Sequence, residues 1–411
     1  MKSSVIILSI VLLFFQSSII YSQSQNTEHL EIANKVLSSV PLVDGHNDLL
    51  LHYYYYKDRK GNLDEYDISK SISGQTDIPR LREGKVGAQF FTVFSFDDRT
   101  ITKSMLETID CLYRIAERYK NDFSFAYSSN DIMNAFNEGK IAMLMNIEGG
   151  EQIENSLPML RLYYQLGVRY MTLTWNYSHD WADAGLDSAK HNGLNEFGKE
   201  VVREMNRLGM LVDISHVSDK VMKDVFETSE APVIYSHTNS RKFVNTKRNV
   251  PDDILHLLKK NNGIIMVSFV PFFVNQKYAD WFDRYEVAYD SLKKENNETA
   301  KAIIEEWKTK NPEPKATITD LANHLDHIKN LISADHIGIG SDFDGFTGVV
   351  EGLEDCSKFP NLFVELARRG WTEDELKKLA CENFLRVFRE AEKVSHKLRS
   401  ERQASMMRIE K

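Results

Sequence analysis

Apolar residues along this chain fall into short continuous runs separated by longer amphipathic stretches. The runs that read as strands are Leu42–Val43 leading into Asp44, Gly87–Phe94, Ile141–Ile147, Arg169–Thr174, Met210–Ser215, Pro232–Ser236, Gly263–Phe269 and Ile337–Ser341. Most are uninterrupted rather than alternating, the pattern of parallel strands covered on both faces by helices. Between them the spacing predicts helices over Ile101–Tyr119, Leu157–Leu166, Asn195–Leu208, Asp219–Thr228, Asp252–Lys260 and Ile318–Leu331. Gly167, Gly209 and Gly263 stand where three helices give way to strands, as stop signals in short connections. Eight such alternations without a change of composition predict one α/β domain, a (β/α)8 TIM barrel over residues 23–400. An open doubly wound sheet is the alternative, but no GxGxxG or GxxxxGK follows the first strand.

Three segments depart from this rhythm. Residues 275–314 are rich in Tyr, Trp, Lys and Glu and read as a helical insertion after the seventh strand, either overhanging the barrel mouth or lying on the surface. Tyr53–Tyr56, just past the first strand, either lines an entrance or packs on its own loop. At the N-terminus, Lys2 precedes an apolar stretch from Val5 to Phe15 broken only by Ser9, and small or polar residues follow. That is a secretory signal with cleavage after Ser22. The stretch is shorter than the roughly 20 residues of a membrane span, so a retained anchor is the lesser reading. The last residues, 401–411, form a polar tail with no hydrophobic lipid-exchange signal. The expected product is exported, periplasmic or secreted, with no transmembrane span in the mature chain.

Composition narrows the function classes. Of 411 residues, 51 are Lys or Arg and 60 Asp or Glu, a net charge of −9 that becomes −10 once Lys2 leaves with the signal. An acidic chain offers no concentrated basic face for nucleic acid. The three cysteines, Cys111, Cys356 and Cys381, make neither a disulfide framework nor a CxxC metal site.

The chemistry collects at the strand C-termini, where a barrel of this kind carries its active site. The first strand runs into His46-Asn47-Asp48, an imidazole and a carboxylate two residues apart and so on one face of an extended segment. The third ends in Glu148, a carboxylate closing an apolar run and costly to bury without a positive partner. The fifth ends in His216, the sixth in His237, and the eighth in Asp342 and Asp344. Three imidazoles with two or three carboxylates suit a divalent metal, zinc foremost, and exceed what one tetrahedral zinc needs. Two metals bridged by Glu148 would use them all. His324 and His327 fall on the helix before the eighth strand and read as structural. His29, His52, His256, His336 and His396 show no convergent partners, and His179 and His191 stay open in the loop after the fourth strand.

The segments Asp44–Asp48, Glu148-Gly149-Gly150, Asp213–Asp219, Ser236-His237 with Arg248-Asn249-Val250-Pro251, and Ala334–Gly345 together resemble the renal (membrane) dipeptidase family of zinc peptidases, which are amidohydrolase-type barrels. The resemblance runs from about Pro41 to Arg389. It implies one Zn2+ held by His46, Asp48 and Glu148, and a second held by Glu148, His216 and His237. It further implies Asp342 as the acid/base and Arg248 as the grip on the substrate's C-terminal carboxylate. The implied reaction is hydrolysis of small dipeptides by a metal-bridged hydroxide, with tolerance of a C-terminal D-residue. Two-metal activation of water and bidentate guanidinium recognition suit these roles physically.

The chain departs from the family at Trp175, where mammalian members carry a His that assists the oxyanion. An indole can pack on substrate and donate a hydrogen bond, but it cannot accept a proton, which leaves the oxyanion to the metals or to a donor such as His179. The mammalian disulfide cysteines and lipid-anchor signal are missing, so membrane attachment does not follow, and a homodimer is left open. The rival readings are a metallohydrolase of another small amide, lactam or ester, and a barrel retained only for binding.

Overall fold

The structure, a computed structural model, describes residues 27–97, 99–292 and 297–409. The signal-like segment over residues 1–22 lies outside them. Eight parallel strands form the barrel: β1 (Leu42–Asp44), β2 (Val86–Val93), β3 (Ile141–Glu148), β4 (Val168–Thr172), β5 (Leu211–Asp213), β6 (Ile234–Tyr235), β7 (Ile264–Val267) and β8 (Ile337–Ile339). Each pairs with its successor, and Asp44 on β1 pairs with Ile339 on β8, closing the ring. Closure leaves no barrel edge for another strand to join.

The strands sit where the apolar runs place them; β3 runs one residue further, to Glu148, while β2 and β4–β8 are shorter at their C-terminal ends. His216, His237 and Asp342 therefore stand on the loops just beyond β5, β6 and β8. Among the described residues three short strands escaped the sequence pattern: Ala316–Thr317, its parallel partner Val350–Glu351, and Phe123–Phe125. Phe123–Phe125 pairs with the first half of β3, from Ile141 to Met143, before β4 takes over at Met145. Three residues, with a serine in the middle, are too few for periodicity to register.

All six predicted helices are present: Ile101–Arg118, Leu157–Gln165, Glu196–Leu208, Asp219–Thr228, Asp252–Asn261 and Ile318–Ile332. Their starts are fixed locally, as where Asn195 and Ser218 accept from backbone N–H groups and Thr317 forms a capping box with Asp320. Gly209 takes the expected left-handed stop, with φ +84°, but at the end of the helix Asp252–Asn261 it is Asn262 that does so, with φ +61°. Gly263 is there for space, because a Cβ would lie 2.4 Å from the Val233 carbonyl oxygen.

The structure adds helices Ser129–Asn137, Phe359–Arg368 and Asn383–Glu401. The last closes the foot of the barrel. Asn383 donates to the carbonyls of Ala334 and Ile337 at the start of β8 (2.6 and 2.9 Å), and Phe384 packs its ring on Phe90 of β2. The polar tail is docked as far as it is described: Arg402 donates to the Arg203 carbonyl, and Arg161 to that of Ser405. Residues 275–314 form the helical pair Gln276–Leu292 and Asn297–Lys310, and the first helix brings Gln276, Phe282 and Asp283 to the mouth. It overhangs the site.

Close packing at the upper rim of the barrel is tested at one glycine. A Cβ on Gly340 would lie 1.7 Å from the Ser236 carbonyl oxygen. Gly340→Ala is expected to cost about 3 kcal/mol or more through forced backbone displacement, read as a lowered urea midpoint at unchanged slope.

Candidate active site

At the upper end of the barrel three imidazoles turn onto one carboxylate. Glu148 Oε1 lies 2.9 Å from His216 Nε2, 3.4 Å from His237 Nε2 and 3.7 Å from His46 Nε2. His46 Nε2 is also 3.5 Å from Asp48 Oδ2 and 3.9 Å from Asp342 Oδ1. All six side chains are buried. The structure thus gathers at one point residues spread over nearly 300 positions of sequence.

The far nitrogen of each ring fixes which way it serves. Tyr170 Oη donates to the Gly45 carbonyl (2.8 Å), so it accepts from His46 Nδ1 (2.8 Å). Ser236 Oγ donates to Asp213 (2.6 Å) and accepts from His237 Nδ1 (2.7 Å). His216 Nδ1 donates to Asn176 Oδ1 (3.0 Å). Each Nδ1 is therefore the protonated nitrogen, and three Nε2 lone pairs point inward.

Asp213 organises this from below. Its carboxylate accepts from Thr172 Oγ1, from both N–H and Oγ of Ser215, and from both N–H and Oγ of Ser236. One buried side chain thus ties the ends of β4, β5 and β6 together. Asp44 does the same on the other side, accepting from Ser341 N–H and Oγ and from Gln89 across β8, β1 and β2.

Electrostatics show what the cluster lacks. With neutral imidazoles, Asp48, Glu148 and Asp342 face the single charge of the Arg248 guanidinium, an excess of negative charge in a buried space. Burial pushes the carboxyls of Glu148 and Asp342 well up, and pushes His216 and His237 well down. His46 is disfavoured as a cation by burial too, but Asp48 and Glu148 outweigh this and raise it to about 10, so that without a metal cation its Nε2 takes up a proton in that cation's place. The Nε2 atoms of His216 and His237 are 2.9 Å apart, both turned as acceptors. Acceptors facing acceptors beside excess carboxylate are a donor set for divalent cations, and zinc's preference for imidazole fits it.

Arg248 completes the site from the loop after β6. Its Nη2 lies 2.8 Å from His216 Nε2, its guanidinium sits over the Phe273 ring, and its Nη1 is buried with no hydrogen-bond partner. Burial lowers its pKa to about 10, against the pull of Asp342 and Glu148. Asn249 holds the loop by donating to the carbonyls of Ser240, Val244 and Phe273. Above the cluster opens a cavity of about 600 Å3 bordered by Asp48, Glu148, Trp175, His216, Arg248 and Asp342. Three non-glycine residues here, His216, Asp342 and Asp344, are held with φ near +67°. Such backbone strain concentrates where function needs a fixed side chain.

Comparison with known proteins agrees with this geometry. The family model described as membrane dipeptidase (Peptidase family M19) matches residues 30–402. The chain belongs to this family. It is 37% identical over 399 residues to the dipeptidase tcpJ of Claviceps purpurea (strain 20.1), covering 89% of this chain and 85% of that one. Among solved structures, the probable dipeptidase PvdM from Pseudomonas aeruginosa is 24% identical, with a TM-score of 0.77 over 90% of this chain and 99% of that chain. A metallo peptidase from Rhodobacter sphaeroides, liganded with a phosphinate mimic of L-Ala-D-Ala, is 22% identical. Its TM-score is 0.69 over 86% of this chain and 99% of that one. At such identities these structures speak for the barrel alone. The protein is a hydrolase of the metallo-dipeptidase family.

Not every residue weighed in the sequence reaches the site of this dipeptidase. Asp344 turns away from the cluster, its Oδ1 meeting His52 Nε2 (2.9 Å) and the Gln75 N–H (2.7 Å), which also gives His52 a partner the sequence did not reveal. His179 does not border the cavity. Its Nε2 donates to the Leu173 carbonyl and its ring packs on Trp181, so it is no oxyanion donor. His191 Nε2 bonds the His179 carbonyl. His324 is structural as expected, yet it serves the catalytic end: it accepts from Ser240 N–H and donates to the Val274 carbonyl, joining the loops after β6 and β7. Of Tyr53–Tyr56, Tyr53, Tyr54 and Tyr56 bond backbone carbonyls, while Tyr55 stays exposed at the rim.

Tyr170 and Asn176 carried no sequence signal, because each acquires its role from a partner at least 40 positions away. Asp213 did carry one: like Glu148, it is a carboxylate inside an apolar run. Removing the Tyr170 hydroxyl is expected to free the His46 ring. Tyr170→Phe should lower divalent-metal affinity by about 10–100-fold, measured by competition with a chromogenic chelator, with the far-UV circular dichroism spectrum unchanged.

Proposed function

We propose that this protein is an exported, binuclear zinc dipeptidase that cleaves the single peptide bond of small dipeptides and accepts a D-residue at the C-terminal position. The observation that carries the reading is the convergence of three Nε2 lone pairs on Glu148, with Asp48 against His46 and the unpartnered Nη1 of Arg248 buried beside them. His46, Asp48 and Glu148 would hold one ion, and Glu148, His216 and His237 the other, with Glu148 common to both. When bound, the ions supply an activated water and polarisation of the scissile carbonyl.

The chain's own groups do the rest. Arg248, with one guanidinium nitrogen uncommitted in a low-dielectric pocket, binds the substrate's terminal carboxylate through charge-assisted hydrogen bonds. That contact restricts substrates to those with a free carboxyl end and sets the peptide bond over the cluster. Asp342, held in its left-handed conformation next to His46 and with its pKa raised by burial, is suited to accept a proton and return it to the leaving amine. Trp175 stands at the cavity wall, where it packs on substrate and excludes water. Export rests on the apolar stretch of residues 5–15 and its small-residue flank. Among the described residues no helix is long and apolar enough to cross a membrane.

A panel of dipeptides with L- and D-residues at each position, beside tripeptides and N-acylated amino acids, tests the reaction. Dipeptides should be cleaved far better than blocked or longer compounds, a D-residue should be accepted only at the C-terminal position, and a chelator should abolish turnover until zinc is returned. Better cleavage of N-acylated amino acids would overturn the proposal, as would elemental analysis finding less than one zinc per chain. Secretion from an export-competent host should yield a chain whose mass corresponds to a start at Gln23.

A further inference from the structure

A ladder of aromatic rings crosses one side of the mouth. Tyr55 stacks on Phe96 with ring centres 4.2 Å apart, and Phe96 meets Phe94 at 4.5 Å. Both reach Trp175, at 5.7 and 5.2 Å, and Trp175 meets Tyr177 at 5.6 Å. Phe94, Phe96 and Trp175 border the cavity together with Leu51 and Leu186. Phe96 is 42% exposed and Leu186 55%, so large apolar surface faces water at a concave site that a ligand's apolar group would cover.

The order of strands decides which part of a substrate meets this wall. Phe94 and Phe96 follow β2 and Trp175 follows β4, whereas Arg248 follows β6 and Phe273 follows β7. In a closed ring of eight, β2–β4 stand opposite β6–β8, with the cluster around Glu148 Oε1 between them. A dipeptide with its carboxylate on Arg248 and its peptide bond over that cluster extends its N-terminal residue toward the β2–β4 side.

The two sides differ in character. Across the mouth the phenyl groups are already engaged, Phe272 with Phe282 at 4.1 Å and Phe273 beneath Arg248, and polar Lys247, Gln276 and Asp283 stand among them. On the wall side, the nearby Arg99 is held by Asp97 at 3.1 Å. Behind the wall, Leu51, Phe94 and Phe96 also border a second cavity of about 470 Å3 reaching Tyr54 and Thr108, which leaves room beyond a single phenyl group.

We propose that Phe94, Phe96 and Trp175 form a selectivity subsite for the N-terminal residue of the dipeptide, favouring bulky aromatic side chains over small or charged ones. A substrate ring gains offset or edge contacts with three fixed rings. A carboxylate or ammonium in the same place gives up water without gaining a partner. The inference deepens the dipeptidase reading and rests on it, with Arg248 gripping the carboxylate.

The test compares Phe-Gly, Ala-Gly, Glu-Gly, Gly-Phe and Gly-Ala on the zinc-loaded full chain, as wild type, Trp175→Ala and Trp175→Phe. Ratios of kcat/KM are taken within one preparation, so a partly unfolded variant does not distort them. Wild type should favour Phe-Gly over Ala-Gly by about 10-fold or more, mainly through KM, and disfavour Glu-Gly. Trp175→Ala should collapse the Phe-Gly to Ala-Gly ratio several-fold, Trp175→Phe should keep most of it, and neither should move the Gly-Phe to Gly-Ala ratio. A wild-type ratio near one overturns the subsite, as does a ratio unmoved by Trp175→Ala or an equal change at the C-terminal position. If wild type cleaves none of the five, the dipeptidase reading itself fails and the subsite with it.

Discussion

Charge buried at the open end of a parallel barrel is the constraint on which the rest of this molecule depends. Asp48, Glu148 and Asp342 each lie within 4 Å of His46, and Glu148 also meets His216 and His237, with the Arg248 guanidinium as their fixed cation. Removing a carboxylate from water costs several kcal/mol unless compensation is close and well aimed. The folded chain supplies only part of that compensation, and the inward-facing lone pairs mark where a divalent cation would supply the rest. A metal centre of this kind is a requirement of the buried charge as much as a feature of the chemistry.

Such a cluster must be held open against its own repulsion, and the barrel does this with hydrogen bonds beneath and around it. Asp213 ties three strand ends and aims His237 through Ser236, while Asp44 ties three more. Tyr170 and Asn176 fix the other two imidazoles. His324 and Asn249 hold the loop that carries Arg248. The left-handed backbone at His216, Asp342 and Asp344 costs about 1–3 kcal/mol at each position, and it persists because these networks leave no alternative. Rigidity at the reacting centre thus comes from polar contacts within a core otherwise filled by aliphatic and aromatic side chains.

Much of this was legible in the order of residues. The continuous apolar runs marked all eight barrel strands, because a strand buried on both faces needs no polar alternation. Six helices followed from 3.6-residue periodicity, several of them within a residue of their ends, because caps such as Asn195 and Ser218 are local devices. Placing His46, Asp48, Glu148, His216, His237 and Asp342 at one mouth required only that each follow a strand of the same barrel. Where the reading failed, the cause was non-local or too short to repeat. Phe123–Phe125 pairs only because β3 outruns β4. Gly263 is demanded by a carbonyl from another strand, while the turn itself is made by Asn262. His179, within reach of the mouth by sequence, is turned inward by a carbonyl six residues before it.

The sequence by itself determined the barrel, its strand order and the chemical types that end each strand, since periodicity and burial act over a few residues at a time. Only the tertiary structure decided which groups meet and how they are oriented. It assigned Nε2 rather than Nδ1 as the inward nitrogen of each imidazole, sent Asp344 to His52, and laid Trp175 in an aromatic wall across the mouth from Arg248. Each of these depends on a contact between segments far apart in sequence. Closing eight strands into a ring sets all of those contacts at once.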